Sequence, residues 1–176
     1  MSWRGAMALG AIAALLQGAA HAQPGRMTVA ELRDSPLYSR ITQDDPACAT
    51  AMAQVTVGVR DQAGLDSRSE QLTSDVFELV ETHQIVSASC DGEACSDVAR
   101  RELKLQAFDH LRTATTLVED QGSNLDFLRD GLGAVRSQCA EYELDLSSEV
   151  ALVEDLVVRQ RDLQDQREAI RGFALH

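Results

Sequence analysis

The sequence predicts an all-α protein: an antiparallel helical bundle with a long C-terminal coiled-coil-like helix, braced by disulfides. Three observations carry that expectation. Read in alternating steps of three and four, the positions Leu125, Leu128, Leu132, Val135, Cys139, Tyr142, Leu146, Glu149, Val153, Leu156, Gln160, Leu163, Arg167 and Ile170 are apolar at eleven of fourteen sites. That spacing keeps one stripe of a helix against a partner helix. The chain has only three prolines, Pro24, Pro36 and Pro46, so everything after residue 46 is free of the strongest helix breaker. Finally, four cysteines, Cys48, Cys90, Cys95 and Cys139, lie beyond a leader that directs export, where paired thiols oxidise.

The leader occupies residues 1 to 22. Met1-Ser2-Trp3-Arg4 gives a short positive start, Gly5 to Ala20 an apolar run, and Ala20-His21-Ala22 a small-residue cleavage site before Gln23. Its apolar core of about 15 residues falls short of the roughly 20 needed to span a bilayer, so a cleaved signal peptide is expected and no membrane span after cleavage. Residues 23 to 44 form an N-terminal segment with a short helix near 28 to 35, opened by the capping box Thr28-Val29-Ala30-Glu31.

A bundle domain is expected from 45 to 146. Asp45-Pro46 places a cap ahead of a proline at the first helical position, and Ser67-Arg68-Ser69-Glu70 has capping-box form. Ser96-Asp97 caps the next segment, and Gly122-Ser123 reads as one helix stopping and another starting. The resulting helices run near 46 to 62, 67 to 89, 97 to 121 and 124 to 172, the last with a second start at Asp145-Leu146-Ser147-Ser148. Val55, Val57 and Val59 alternate as in a strand, but Cys48, Met52, Val55 and Val59 fit helix spacing and no partner strand is in sight. Apolar seams at Leu72, Val76, Leu79, His83, Val86 and Cys90, and at Leu103, Ala107, Leu111, Ala114 and Val118, require helices packed side by side. Aromatic content of 4% calls for a narrow core and argues against a broad pocket for a planar cofactor; no cofactor is expected.

The layout suggests a pairing for the cysteines. With turns near Gly64 and Gly122 at one end, Cys48 lies about 16 residues below the first and Cys139 about 17 below the second, which is similar height at about 1.5 Å per residue. Cys90 and Cys95 flank the turn at the other end. Cys48 with Cys139 and Cys90 with Cys95 are therefore favoured over the other two connectivities, and structural bridges over metal or haem use, since no C-x-x-C pair is present.

Charge and motifs exclude more than they assign. Removing Arg4 with the leader takes the formal charge from −12 to −13, which repels nucleic acid and anionic lipid. Nucleic-acid binding is not expected. His83 and His110 sit too far apart in height to share a metal, no Glu-x-x-His pair supports a di-iron site, and Asp91-Gly92-Glu93 alone is too little for a calcium loop. The acidic run from Glu119 to Asp155 reads as a solvated face. No catalytic residue is assigned and an enzyme is not expected.

What remains is the C-terminal helix, residues 147 to 176. Glu149, Gln160 and Arg167 interrupt its stripe at sites where polar residues fix register, and Leu156, Leu163 and Ile170 stand as apolar anchors. The expectation is that these three mediate self-association or capture of a protein partner. The function expected is that of a non-catalytic periplasmic or secreted interaction protein: an adaptor, assembly factor or structural subunit of an envelope complex. The alternative is a small disulfide-stabilised periplasmic chaperone or enzyme inhibitor.

Overall fold

The computed structural model describes residues 26–89 and 93–175, and its frame is one long helical hairpin. α3 (Pro46–Ser89) and α4 (Glu93–Gln138) run antiparallel for 44 and 46 residues, about 66 and 69 Å at the usual rise. α5 (Ser147–Leu175) folds back along α4 and lies over the seam between the two. The short α1 (Val29–Arg33) and α2 (Pro36–Asp44) wrap the end where α3 begins and α4 stops. Among the described residues there is no strand, and no helix is long and apolar enough to cross a membrane. The leader expected over residues 1 to 22 lies outside the described residues.

The expected start signals at the lower end are in place. Thr28 closes its capping box, its hydroxyl accepting from the Glu31 amide at 3.2 Å while Glu31 accepts from the Thr28 amide at 2.9 Å. Asp45 caps α3 by accepting from the Cys48 amide at 3.1 Å. Asp145 caps α5 through the Ser147 amide at 3.0 Å, so the second start expected near 145 to 148 is real.

Two expected turns are absent. α3 passes through Gly64 and α4 through Gly122, so the four expected bundle helices are two, and Ser67-Arg68-Ser69-Glu70 lies within α3. A glycine inside a helix costs about 1 kcal/mol relative to alanine. On either side, Val55 and Leu65 in α3 and Val118 and Leu125 in α4 are buried, each contributing roughly 1.5–3 kcal/mol. Continuing the buried row outweighs the glycine.

The heptad run breaks, and the chain folds back, ahead of the second start expected near 145 to 148. Its first half lies on α4; Cys139 to Leu146 form a bend with a 3-10 turn at Ala140–Tyr142 and a left-handed Glu143 (φ 46°); its second half returns on α5. The stripe meets itself: Leu125 and Leu128 pack against Leu156. The bend is anchored to the N-terminal segment where the Asp145 amide donates to the Met27 carbonyl oxygen at 2.9 Å.

Candidate interaction surface

The anchors expected to face a partner face the chain's own core. Leu156, Leu163 and Ile170 are 0, 4 and 3% exposed. Leu163 and Ile170 share a cluster with Leu65, Leu72, Ala114 and Leu117, and Ala174 one turn on meets Leu79, Leu103 and Ala107. The core therefore crosses the boundary expected at 146/147, and the C-terminal helix is a third member of the bundle, its stripe already occupied. The groove that receives these anchors exists only once α3 and α4 are paired, which periodicity along α5 does not reveal.

The two predicted bridges fare differently. Cys48 and Cys139 are joined, both buried, with Cα atoms 4.9 Å apart, tying the first turn of α3 to the residue after α4. The Cys90 to Cys95 pairing lies outside the described residues. Among the described residues, no three His, Cys, Asp or Glu side chains are grouped so as to hold a metal ion. His83 is half-buried at the upper end, edge-on to the Phe173 ring at 5.0 Å and 77°.

The surface divides by the faces of the hairpin. α5 covers one: Gln160 donates to the Val118 carbonyl oxygen at 2.9 Å, Arg159 reaches Asp66 at 3.1 Å and Gln166 donates to Thr73 at 3.3 Å. The opposite face carries an open groove of about 660 Å³ between Val57, Gly64, Leu65, Asn124 and Phe127, closed at its upper end by the Arg68–Asp120 pair at 2.8 Å. Its polar lining is satisfied internally, with Asn124 donating to the Gly58 carbonyl oxygen and to Gln62.

Where α5 stops, the hairpin goes on. α5 ends level with Leu79 to His83 on α3 and Leu103 to Ala107 on α4. α3 continues six residues beyond His83 to Ser89, and α4 begins ten residues before Leu103, an overhang of about 9 to 15 Å. Among the described residues, six of the eleven large apolar side chains left exposed belong to this upper end: Phe77, Ile85, Val98, Leu105, Phe108 and Leu175. Isolated apolar residues are ordinary on a protein surface, but here they gather toward one end of the hairpin.

Cations predominate on one face of the upper end and carboxylates make up the other. Stepping up α4 by sevens from Val118 leads to Lys104 and then to the exposed Asp97, from Gly122 to Phe108 and Arg101, and from Ala114 to Arg100, all on the α5 side. Stepping from the groove residues Arg60, Gly64 and Ser123 leads to Glu81, to Glu78 and Ile85, and to Asp109 and Glu102 on the other side. Among the described residues Arg100, Arg101 and Lys104 form no ion pair, nor do Glu78, Glu81 and Glu102. Only Asp109 is partnered, by Arg112 at 3.1 Å. The sequence reading passed over these residues; the one signal available was that Val98 and Leu105 fall off every apolar seam.

No family model, curated protein or solved structure matches the chain.

Proposed function

We propose that the protein is a non-catalytic, exported helical interaction protein, an adaptor, assembly factor or structural subunit of a periplasmic envelope complex, and that it makes contact through the upper end of the hairpin. The supporting observation is the division of the molecule into a fastened end and a presenting end. The lower end holds the largest core cluster, in which α1, α2 and the bend close over the buried Cys48–Cys139 bridge. The upper end carries the exposed Phe77, Ile85, Val98, Leu105 and Phe108 on two continuous helices. A stiff element with its apolar side chains displayed far from its anchor is built to hold a contact surface at a distance.

The test is site-directed photo-crosslinking in a bacterium that exports the chain. A photoreactive phenylalanine analogue at Phe77, Val98 or Leu105 is expected to form adducts, and the same group at Val59 or Val158, exposed elsewhere, is not. Absence of adducts from all three upper positions would overturn the proposal.

A further inference from the structure

We infer that the partner at the upper end is a second copy of the chain, docked face to back. The inference rests on the interaction reading above and deepens it. One face of the hairpin tip presents Arg100, Arg101 and Lys104 without ion-pair partners; the other presents Glu78, Glu81 and Glu102, equally unpartnered. Each face also carries apolar surface at a comparable level. Ile85, 59% exposed, lies among the acidic residues, while Phe108 and Leu175, 47 and 60% exposed, lie where α5 ends below the basic ones. The basic face carries one carboxylate, Asp97, beside its three cations, so one copy's acidic face complements the next copy's basic face in net charge and in apolar content.

The end of α5 decides how far the faces overlap. On the basic side α5 stands out from the hairpin as a ledge, so a neighbour lies flat only across the overhang and against the ledge. The acidic side has no such obstacle. Two helices about 20 Å wide over at most about 15 Å of overhang offer roughly 300 Å² per partner, under half that of a standard stable interface. The contact is therefore weak and concentration-dependent. A face-to-back contact is also heterologous, leaving each added copy with one free face, so association continues beyond a dimer. The formal charge of −12 over the whole chain opposes it at long range, so only the local sorting of charge favours it.

Charge exchange between the faces tests this directly. One variant carries R100E, R101E and K104E, and a second carries E78K, E81K and E102K; five of these positions are exposed and Lys104 is half-buried, and circular dichroism checks each fold. Sedimentation velocity of the exported wild type between 10 and 500 μM is expected to show mass rising with concentration. Each variant alone is expected to stay monomeric, and an equimolar mixture to associate again, because every basic face then meets an acidic one. I85D in the wild-type background is expected to remove association with both charge sets intact. Wild type monomeric throughout, or either charge variant associating alone as wild type does, overturns the inference. Crosslinked adducts at Phe77, Val98 or Leu105 whose masses are not multiples of the chain's would then keep the interaction reading while removing the second copy from it.

Discussion

Gly58 of α3 lies directly beneath Leu128 of α4: a Cβ built on the glycine would stand 2.6 Å from Leu128 Cδ2 and 2.7 Å from its Cγ. The close approach of the two long helices at this level depends on hydrogen at that position. Gly58→Ala is expected to destabilise the protein by about 1–3 kcal/mol through overpacking. At Gly64 an added Cβ meets nothing within 4 Å, so Gly64→Ala should instead stabilise by about 1 kcal/mol, the ordinary helix preference. Chemical denaturation of the two variants checks the opposite signs.

Leu156→Asp and Leu163→Asp should each destabilise the isolated monomer by about 4 kcal/mol or more, since either places an uncompensated charge in the core. Both leucines are at most 4% exposed within the chain's own bundle. Thermal unfolding by circular dichroism gives the answer; a melting temperature near that of wild type would mean that α5 is not packed as described.

Gln121 is 1% exposed and its Nε2 has no hydrogen-bond partner within the protein. Gln121→Leu keeps the volume and removes the unmet donor, and should raise stability by about 1 kcal/mol, or roughly 2–4 °C in Tm. A fall in Tm would show that the amide is satisfied in solution.

The Cys48–Cys139 bridge closes a span of 91 residues, and its loss should cost about 4–5 kcal/mol by loop-closure entropy. Both cysteines are buried, so a thiol reductant should leave the bridge intact in native buffer and open it only in denaturant. Peptide mapping with and without denaturant reads this out; rapid native reduction would contradict the burial.

Burial, joined by the negative charges of Asp45, Glu141 and Asp44, raises the Tyr142 hydroxyl above its usual range. The folded state then holds this proton after the unfolded state has released it. Stability should therefore fall as pH climbs from about 10 toward the folded value. Tyr142→Phe should flatten that alkaline decline, measured by denaturant unfolding at pH 9 to 11, and an unchanged slope would assign the decline to other groups.

The sequence was most legible where the determinants are local or periodic. Thr28 and Asp45 cap as their chemistry requires, and Leu72, Leu79, Leu103, Ala107 and Ala114 line the core at the spacing read for them. The pairing of Cys48 with Cys139 was argued from two turns that do not exist. It holds because Gly64 and Gly122 stand level in the antiparallel pair, between the Gln62–Asn124 and Arg68–Asp120 contacts, so counting down from them gives the heights a turn would have given. Less legible was the partner of the stripe on α5. Periodicity shows that a helix needs a companion, while the choice between its own chain and another depends on the groove that α3 and α4 form together. The charged faces of the tip were hidden for the same reason: Glu78 and Glu102 share a face only once the register between α3 and α4 is known.

The fold also settles where attachments to the protein would sit. The described chain enters at Arg26 beside the bridged end and leaves at Leu175 beside the tip, with most of the hairpin's length between them. A reporter or affinity handle joined after His176 would stand beside Phe108 and the basic face, where it shadows the surface it is meant to report on. A tether placed ahead of Arg26 would leave that surface some tens of ångströms out from the point of attachment, projecting like the far end of a mast.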